Sequence, residues 1–295
     1  MNVLVVGKAK TGTTVISKAI HQALPGARYH LEPKAASYFE EHGGGGGSDI
    51  VKIIFEHWGG RPADRDALVD NRLAMRFDRR VFIVRDPRDE AISRLLYLAY
   101  PWMAKHGAGR DQRETLREWI GLLQRKERDP QSVGGLELFA WARERLGTDV
   151  LASTAQSAAR YAAFLARAPA SSFLIRYEDF VEGRIAALNE YLGLQLEPQT
   201  VPLGDLARTR RSAASGNWKS FFAASEMSTL QSLFGEACKA QGYEDWAPQS
   251  AAALDSRHFS GYVERLVESG TPTRLQRLRA VLSGLLQRVH GRPAG

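Results

Sequence analysis

The sequence predicts an α/β fold, a three-layer sandwich with a central parallel sheet of about four or five strands flanked by helices. Short apolar runs of strand length stand at Val3–Val6, Ile50–Phe55, Val81–Val84 and Ser172–Arg176. Segments with helical spacing lie between them, as parallel strands joined by crossovers require. The first run also passes through a glycine-bounded loop, Gly7 to Gly12, directly into a helix expected over Thr13–Ala23.

A strand, a glycine loop and a helix in that order make a phosphate cradle. Backbone N–H groups of the loop and of the helix N-terminus converge, and the helix dipole favours an anion there. Against the Walker A pattern GxxxxGK[ST], Gly7 and Gly12 have the right spacing and Thr14 holds the hydroxyl position, so the fold reads as P-loop NTPase-like. Thr13 stands where a nucleotide kinase has its lysine. The cation has moved into the loop as Lys10, with Lys8 two residues earlier.

Residues 29–48 read as an apolar-polar mix ending in a glycine surface loop, Gly43 to Gly47. The second strand, Ile50–Phe55, delivers Glu56, His57 and Trp58 to its C-terminal end, the edge of an open α/β sheet where ligands bind. A helix is expected over Asp64–Arg80. After Val81–Val84, Arg85 leads into Asp86, a good N-cap, and Pro87, a good first helical residue. Residues 101–168 read as mostly helical, with periodic stretches at Arg113–Arg125, Leu136–Leu146 and Ala155–Arg167. Trp102, Trp119, Trp141 and Tyr161 within them read as helix core. The fourth strand ends at Tyr177, Glu178 and Asp179, and a short helix closes over Asn189–Leu196. Pro198–Thr209 reads as a linker, and Arg208–Lys219 as a basic loop able to fold around an anion, with Gly216 as its turn and Trp218 as its anchor. The tail over Arg274–His290 carries Leu275, Leu278, Leu282, Leu285 and Val289 on one stripe among arginines. It is read as packing on its own domain, with a dimer helix or a basic helix on anionic lipid as the alternatives. The expected division is a domain over 1–255 and this helical tail over 256–295.

A chain of 295 residues with 44% apolar content can bury a sizeable core. Its net charge of +7 suits an anionic ligand. One cysteine, Cys238, excludes an intramolecular disulfide framework and fits a reducing compartment. Without a cysteine cluster, a zinc site is not expected, and no metal is called for. The N-terminus runs straight into the first strand, and no apolar run approaches membrane-spanning length. The expectation is a cytoplasmic protein with no nucleic-acid partner.

Four segments together resemble the PAPS-dependent sulfotransferase family, PAPS being 3′-phosphoadenosine 5′-phosphosulfate. Lys10-Thr11-Gly12-Thr13-Thr14 resembles the family's 5′-phosphosulfate loop, and Arg85 with Ser93 its R-x7-S element for the 3′-phosphate. Arg176-Tyr177-Glu178-Asp179-Phe180 is similar to its RYEDL strand end. Gly216-Asn217-Trp218-Lys219 with Phe222 resembles its GDWKxxF loop. The motifs occur in the family's order over residues 2 to about 225. The resemblance implies sulfuryl transfer from PAPS to a hydroxyl or amine of a sugar, lipid glycan or small molecule, without a metal. It assigns Lys10 to the leaving phosphate's bridging oxygen, and Thr11, Gly12, Thr13 and Thr14 to the 5′-phosphate. Arg85, Ser93 and Arg211 go to the 3′-phosphate, Tyr177 to the adenine, and Gly216, Trp218 and Lys219 to the cofactor loop.

The acceptor's hydroxyl proton needs a general base within hydrogen-bond reach. Glu32 resembles the family's carbohydrate-branch glutamate and ranks first, His57 stands near its small-molecule-branch histidine and ranks second, and Glu56 is third. Lys52, mid-strand, could reach the sulfonate. Two departures stand out. Val15 replaces the tryptophan that stacks on adenine in many members, leaving Trp218 and Phe222 as candidates. Arg211-Ser212-Ala213 keeps only the arginine of the family's RKG triplet. Two other classes compete: a P-loop kinase, which lacks its lysine at Thr13, and a non-catalytic protein that binds adenosine bisphosphate.

Overall fold

The computed structural model describes residues 1–43, 46–107, 109–198, 211 and 215–270. Its sheet has five parallel strands in the order β2-β3-β1-β4-β5: β1 (Val3–Gly7), β2 (Arg28–Leu31), β3 (Asp49–Ile54), β4 (Arg79–Val84) and β5 (Phe173–Arg176). Val5 lies opposite Lys52 on one side and Val81 on the other, so β1 is central. A strand covered on both faces needs a continuous apolar run, and Val3–Val6 supplies one. Odd and even residues serve different layers. Val3, Val5, Val81 and Ile83 pack under α1 (Thr13–Gln22), α9 (Tyr177–Val181) and α10 (Ala186–Leu192). Leu4, Val6, Phe82 and Val84 pack under α2 (Ala36–Glu41), α3 (Pro62–Val69) and α8 (Val150–Leu165). The expected fold class is the observed one.

A helical lobe begins where the chain leaves the C-terminal end of β4. It comprises α4 (Pro87–Tyr97), α5 (Ala99–His106), α6 (Arg110–Arg128), α7 (Gly135–Leu146), α11 (Trp218–Phe221), α12 (Met227–Ala240) and α13 (Ser260–Gly270). Its core is built on large side chains such as Trp119, Phe221, Phe234 and Tyr262. Trp119 and Tyr161 are fully buried, as the helix-core reading expects. Phe259, Tyr262, Val263 and Leu266 join the same core, so residues 256–270 pack with what precedes them rather than apart from it.

Two elements differ from expectation. The helix expected over Asp64–Arg80 ends at Val69. Asn71 turns the chain in a left-handed conformation (φ 59°). Its side-chain amide then binds Phe77 at both N and O, and β4 begins two residues later. Strand β2 lies inside the stretch read as a mix. It has only four residues and one buried position, and Asp49 of β3 binds both Arg28 and His30 to hold it. Residues 44, 45, 199–210 and 212–214 and the stretch 274–290 expected to be helical lie outside the described residues, and with them most of the linker and of the tail and half of the basic loop. Among the described residues no helix is long and apolar enough to cross a membrane.

Candidate anion-binding and transfer site

The β1–α1 junction is built on two tight approaches. A Cβ at Gly7 would stand 2.4 Å from Thr13 Cγ2, and one at Gly12 2.2 Å from Tyr177 Cδ2. Gly12 is also left-handed, as is Lys10 (φ 68°), where a side chain adds strain of about 1 kcal/mol or more. Internal bonds hold this shape. Thr11 Oγ1 donates to the Lys8 carbonyl at 2.8 Å, and Ala9 N donates to Glu56 Oε2 at 3.0 Å. Lys8 pairs with Glu90 at 2.5 Å, both side chains wholly buried, so Lys8 anchors the loop to α4. No side chain caps α1 and no acid lies in its first turn, which leaves its N-terminal dipole for a ligand.

Lys10 alone of the loop cations lies toward the site. Its Nζ stands 4.0 Å from the Tyr97 ring centroid and donates to Tyr262 Oη at 3.3 Å. Its carbonyl accepts from Arg85 Nη1 at 2.9 Å, which ties the first junction to the second.

At that second junction β4 ends and Arg85 precedes the N-cap. Asp86 accepts from Arg88 N at 2.9 Å and also grips the Arg88 guanidinium. That guanidinium lies between Trp218, at 3.6 Å, and Trp246, at 4.2 Å. Trp218 is 2% exposed, and Phe222, stacked on Phe139, is 3% exposed. Neither ring can receive an adenine, which corrects the stacking expectation: the helical lobe has absorbed both. Lys219 pairs with Asp245 at 2.5 Å, so the protein's own carboxylate engages it. Gly216 N and Trp218 N both donate to Asp89, at 2.7 and 2.8 Å, which fastens this turn to the first turn of α4.

Arg85 and Arg211 meet beneath this turn, both almost fully buried. The Arg85 guanidinium rides 4.6 Å above the Tyr177 ring. Tyr177, itself 7% exposed, thus orients an arginine and closes on Gly12. Arg211 Nη1 donates to the His258 carbonyl at 3.4 Å. Arg85 Nε and Arg211 Nε and Nη2 are buried without a hydrogen-bond partner among the described residues. Burial, then the Arg85 charge, pulls the Arg211 pKa down to about 10. Two buried guanidiniums with donors to spare form a pocket of positive potential whose natural complement is an oxyanion. Ser93 lies buried on α4, the helix that follows Arg85.

The β2–β3 side gathers the candidate bases. Glu32, left-handed (φ 54°) at the end of β2, accepts from Lys52 Nζ at 2.8 Å and from His57 Nδ1 at 3.2 Å. Lys52 Nζ also donates to Thr14 Oγ1 at 2.8 Å, which joins these groups to the phosphate loop. The bonds from His57 and then Lys52 push the Glu32 carboxyl down to about 2. Glu56 is engaged by Ala9 N, Arg94 and Ser157 and is a buttress of the loop, so the third-ranked base is set aside. His57 remains about half exposed.

Lys10, Thr14, Arg85, Arg211, Tyr177, Glu32, Lys52 and His57 are thus brought to one end of the sheet. Tyr97 and Tyr262 carried no motif and were not foreseen. A partly apolar helix such as GYVERLV gives no sign of a partner 252 positions away. Among the described residues no group of three or more His, Cys, Asp or Glu is placed to hold a metal ion.

No protein-family model matches the chain. No curated protein matches it either. Among solved structures it is similar to a mouse sulfotransferase crystallised in complex with PAP, with TM-score 0.40 and 16% identity over 81% of this chain and 84% of that one. A likeness that distant carries no weight for function.

Proposed function

We propose that the chain is a sulfotransferase that moves a sulfuryl group from PAPS to a hydroxyl or amine acceptor. The observation that carries this is the buried, under-bonded Arg85–Arg211 pair beside an uncapped phosphate loop, joined to it by the Arg85–Lys10 bond. That arrangement suits one ligand with two separate anionic ends. A 3′-phosphate fits the two arginines, and a 5′-phosphosulfate fits the loop with Lys10 and Thr14. PAPS supplies an activated sulfuryl group, and the protein contributes positioning and charge.

Lys10 neutralises the negative charge that gathers on the leaving phosphate oxygen as the bridging S–O bond breaks. Lys52, between Thr14 and Glu32, is placed to steady the sulfuryl oxygens. Glu32, with its pKa near 2, is an anion at neutral pH and can only accept hydrogen bonds. Its bond to His57 therefore requires the proton on Nδ1, which leaves Nε2 as the ring's acceptor in the neutral form. In this reading His57 takes the acceptor's proton and Glu32 orients it, since a carboxylate so stabilised is a feeble base.

The test is thermal stabilisation by ligand. Adenosine 3′,5′-bisphosphate should raise the melting temperature, while ADP, and ATP with Mg²⁺, should not. A shift with ATP and Mg²⁺ alone would replace this reading with a kinase. A shift with the bisphosphate but no turnover on any acceptor would point to a binding protein.

A further inference from the structure

Helix α13 lies beyond the last sequence motif that resembles the sulfotransferase family, yet it reaches into the site. Tyr262 on this helix is 1% exposed, with its ring in the lobe's core and its hydroxyl at the Lys10 ammonium. The neighbouring turn belongs to the same arrangement. His258 supplies the carbonyl that holds Arg211, and Phe259 lies 5.6 Å from the Arg211 guanidinium. Tyr262 is close enough to Arg85 and Arg211 for both to favour its ionised form, against burial that pushes its pKa well up. Its hydroxyl thus meets the 5′ side of the site at Lys10, while the turn before it meets the 3′ side at Arg211. On the other flank the Tyr97 ring faces the same ammonium.

We propose that Tyr262 is a positioning residue for Lys10. Its hydroxyl and the Tyr97 ring form a clamp that fixes the ammonium at one point of the transfer site, and the C-terminal segment is thereby part of the catalytic apparatus. The assignment rests on the reading of Lys10 given above. A lysine has a long flexible stem, and one held by a phenol and an aromatic face keeps little of that freedom. Pre-setting a cation where charge develops in the transition state lowers the barrier without tightening ground-state binding.

Tyr262→Phe removes one oxygen and leaves the ring in the core. Three quantities are compared with wild type: affinity for adenosine 3′,5′-bisphosphate, the rate of Lys10 labelling by an amine-reactive reagent read by mass spectrometry, and steady-state turnover. Affinity should stay within about twofold, Lys10 labelling should rise by roughly threefold or more, and kcat should fall about tenfold at unchanged donor KM. Tyr97→Leu, which takes away the other half of the clamp, should also raise labelling. Unchanged labelling in both variants, or unchanged kcat in Tyr262→Phe, would overturn the proposal. The labelling is read on ligand-free protein. A wild type that transfers no sulfuryl group would therefore refute the sulfotransferase reading, while the labelling would still decide whether the clamp exists.

Discussion

The two strand-to-helix junctions meet the same requirement by opposite means. At β1–α1 the helix has no capping side chain, the loop bends through Gly12, and its cation is Lys10. At β4–α4 a cap is present: Asp86 takes the Arg88 amide and side chain, Pro87 opens the helix, and Asp89 in the first turn holds the Gly216 and Trp218 amides of another segment. The first junction offers backbone to an anion. The second has a side-chain cap on its first free amide and offers side chains, Arg85 with Arg211. A helix N-terminus is therefore a binding site only where nothing else satisfies it, and the presence of an N-cap in a sequence argues against backbone recognition there.

Breaking the second junction's cap should have the largest effect. Asp86→Ala removes the cap and leaves Arg88 buried without its carboxylate, at a cost of about 3–5 kcal/mol. Calorimetry should show a melting temperature lower by roughly 6–15 °C; a change under about 1 kcal/mol would mean the cap is not structural. At the first junction, Lys10→Ala should cut kcat by roughly 10² or more while the bisphosphate still binds. Full turnover in that variant would remove Lys10 from the chemistry. Arg85→Ala sharpens the contrast. It should weaken adenosine 3′,5′-bisphosphate by roughly 10- to 100-fold and a 5′-phosphate lacking the 3′ group by much less. Equal losses for the two ligands, read by titration calorimetry, would detach Arg85 from the 3′ end.

The core strands were legible because burial on both faces forces uninterrupted Val and Ile runs, and such runs cannot be mistaken for loops. Strand β2 was not, because an edge strand with a single buried position carries no pattern, and what seats it is Asp49 from another strand. The excess length given to the Asp64 helix has a local cause, since Asn71 tolerates the left-handed turn that ends it and several arginines beyond it keep helical propensity. In the site, Lys10 could be found from the spacing of the glycine loop, whereas Arg85 and Arg211 were legible only through the resemblance to the sulfotransferase motifs. Trp218 is the anchor that its loop suggested, but its standing as a stacking candidate does not hold, because an aromatic beside a glycine turn looks the same whether it meets a ligand or, as here, a buried arginine. The pairing of Glu32 with His57, which changes the role of each, depends on two strand ends that adjoin only in the folded sheet.

The bond from Ser157 to Glu56 spans 101 positions, and the contact of Tyr262 with Lys10 spans 252. The second touches the loop between β1 and α1 directly and the first through Glu56, which binds Ala9 N. β1 precedes β3 and β4 in the chain yet lies between them in the sheet, so it must wait for both to arrive. The phosphate loop is thus synthesised before its supports and completed only after them. A nascent chain that stops short of α13 would carry the phosphate-loop sequence without its second shell of support, which separates the moment the motif exists from the moment it can act.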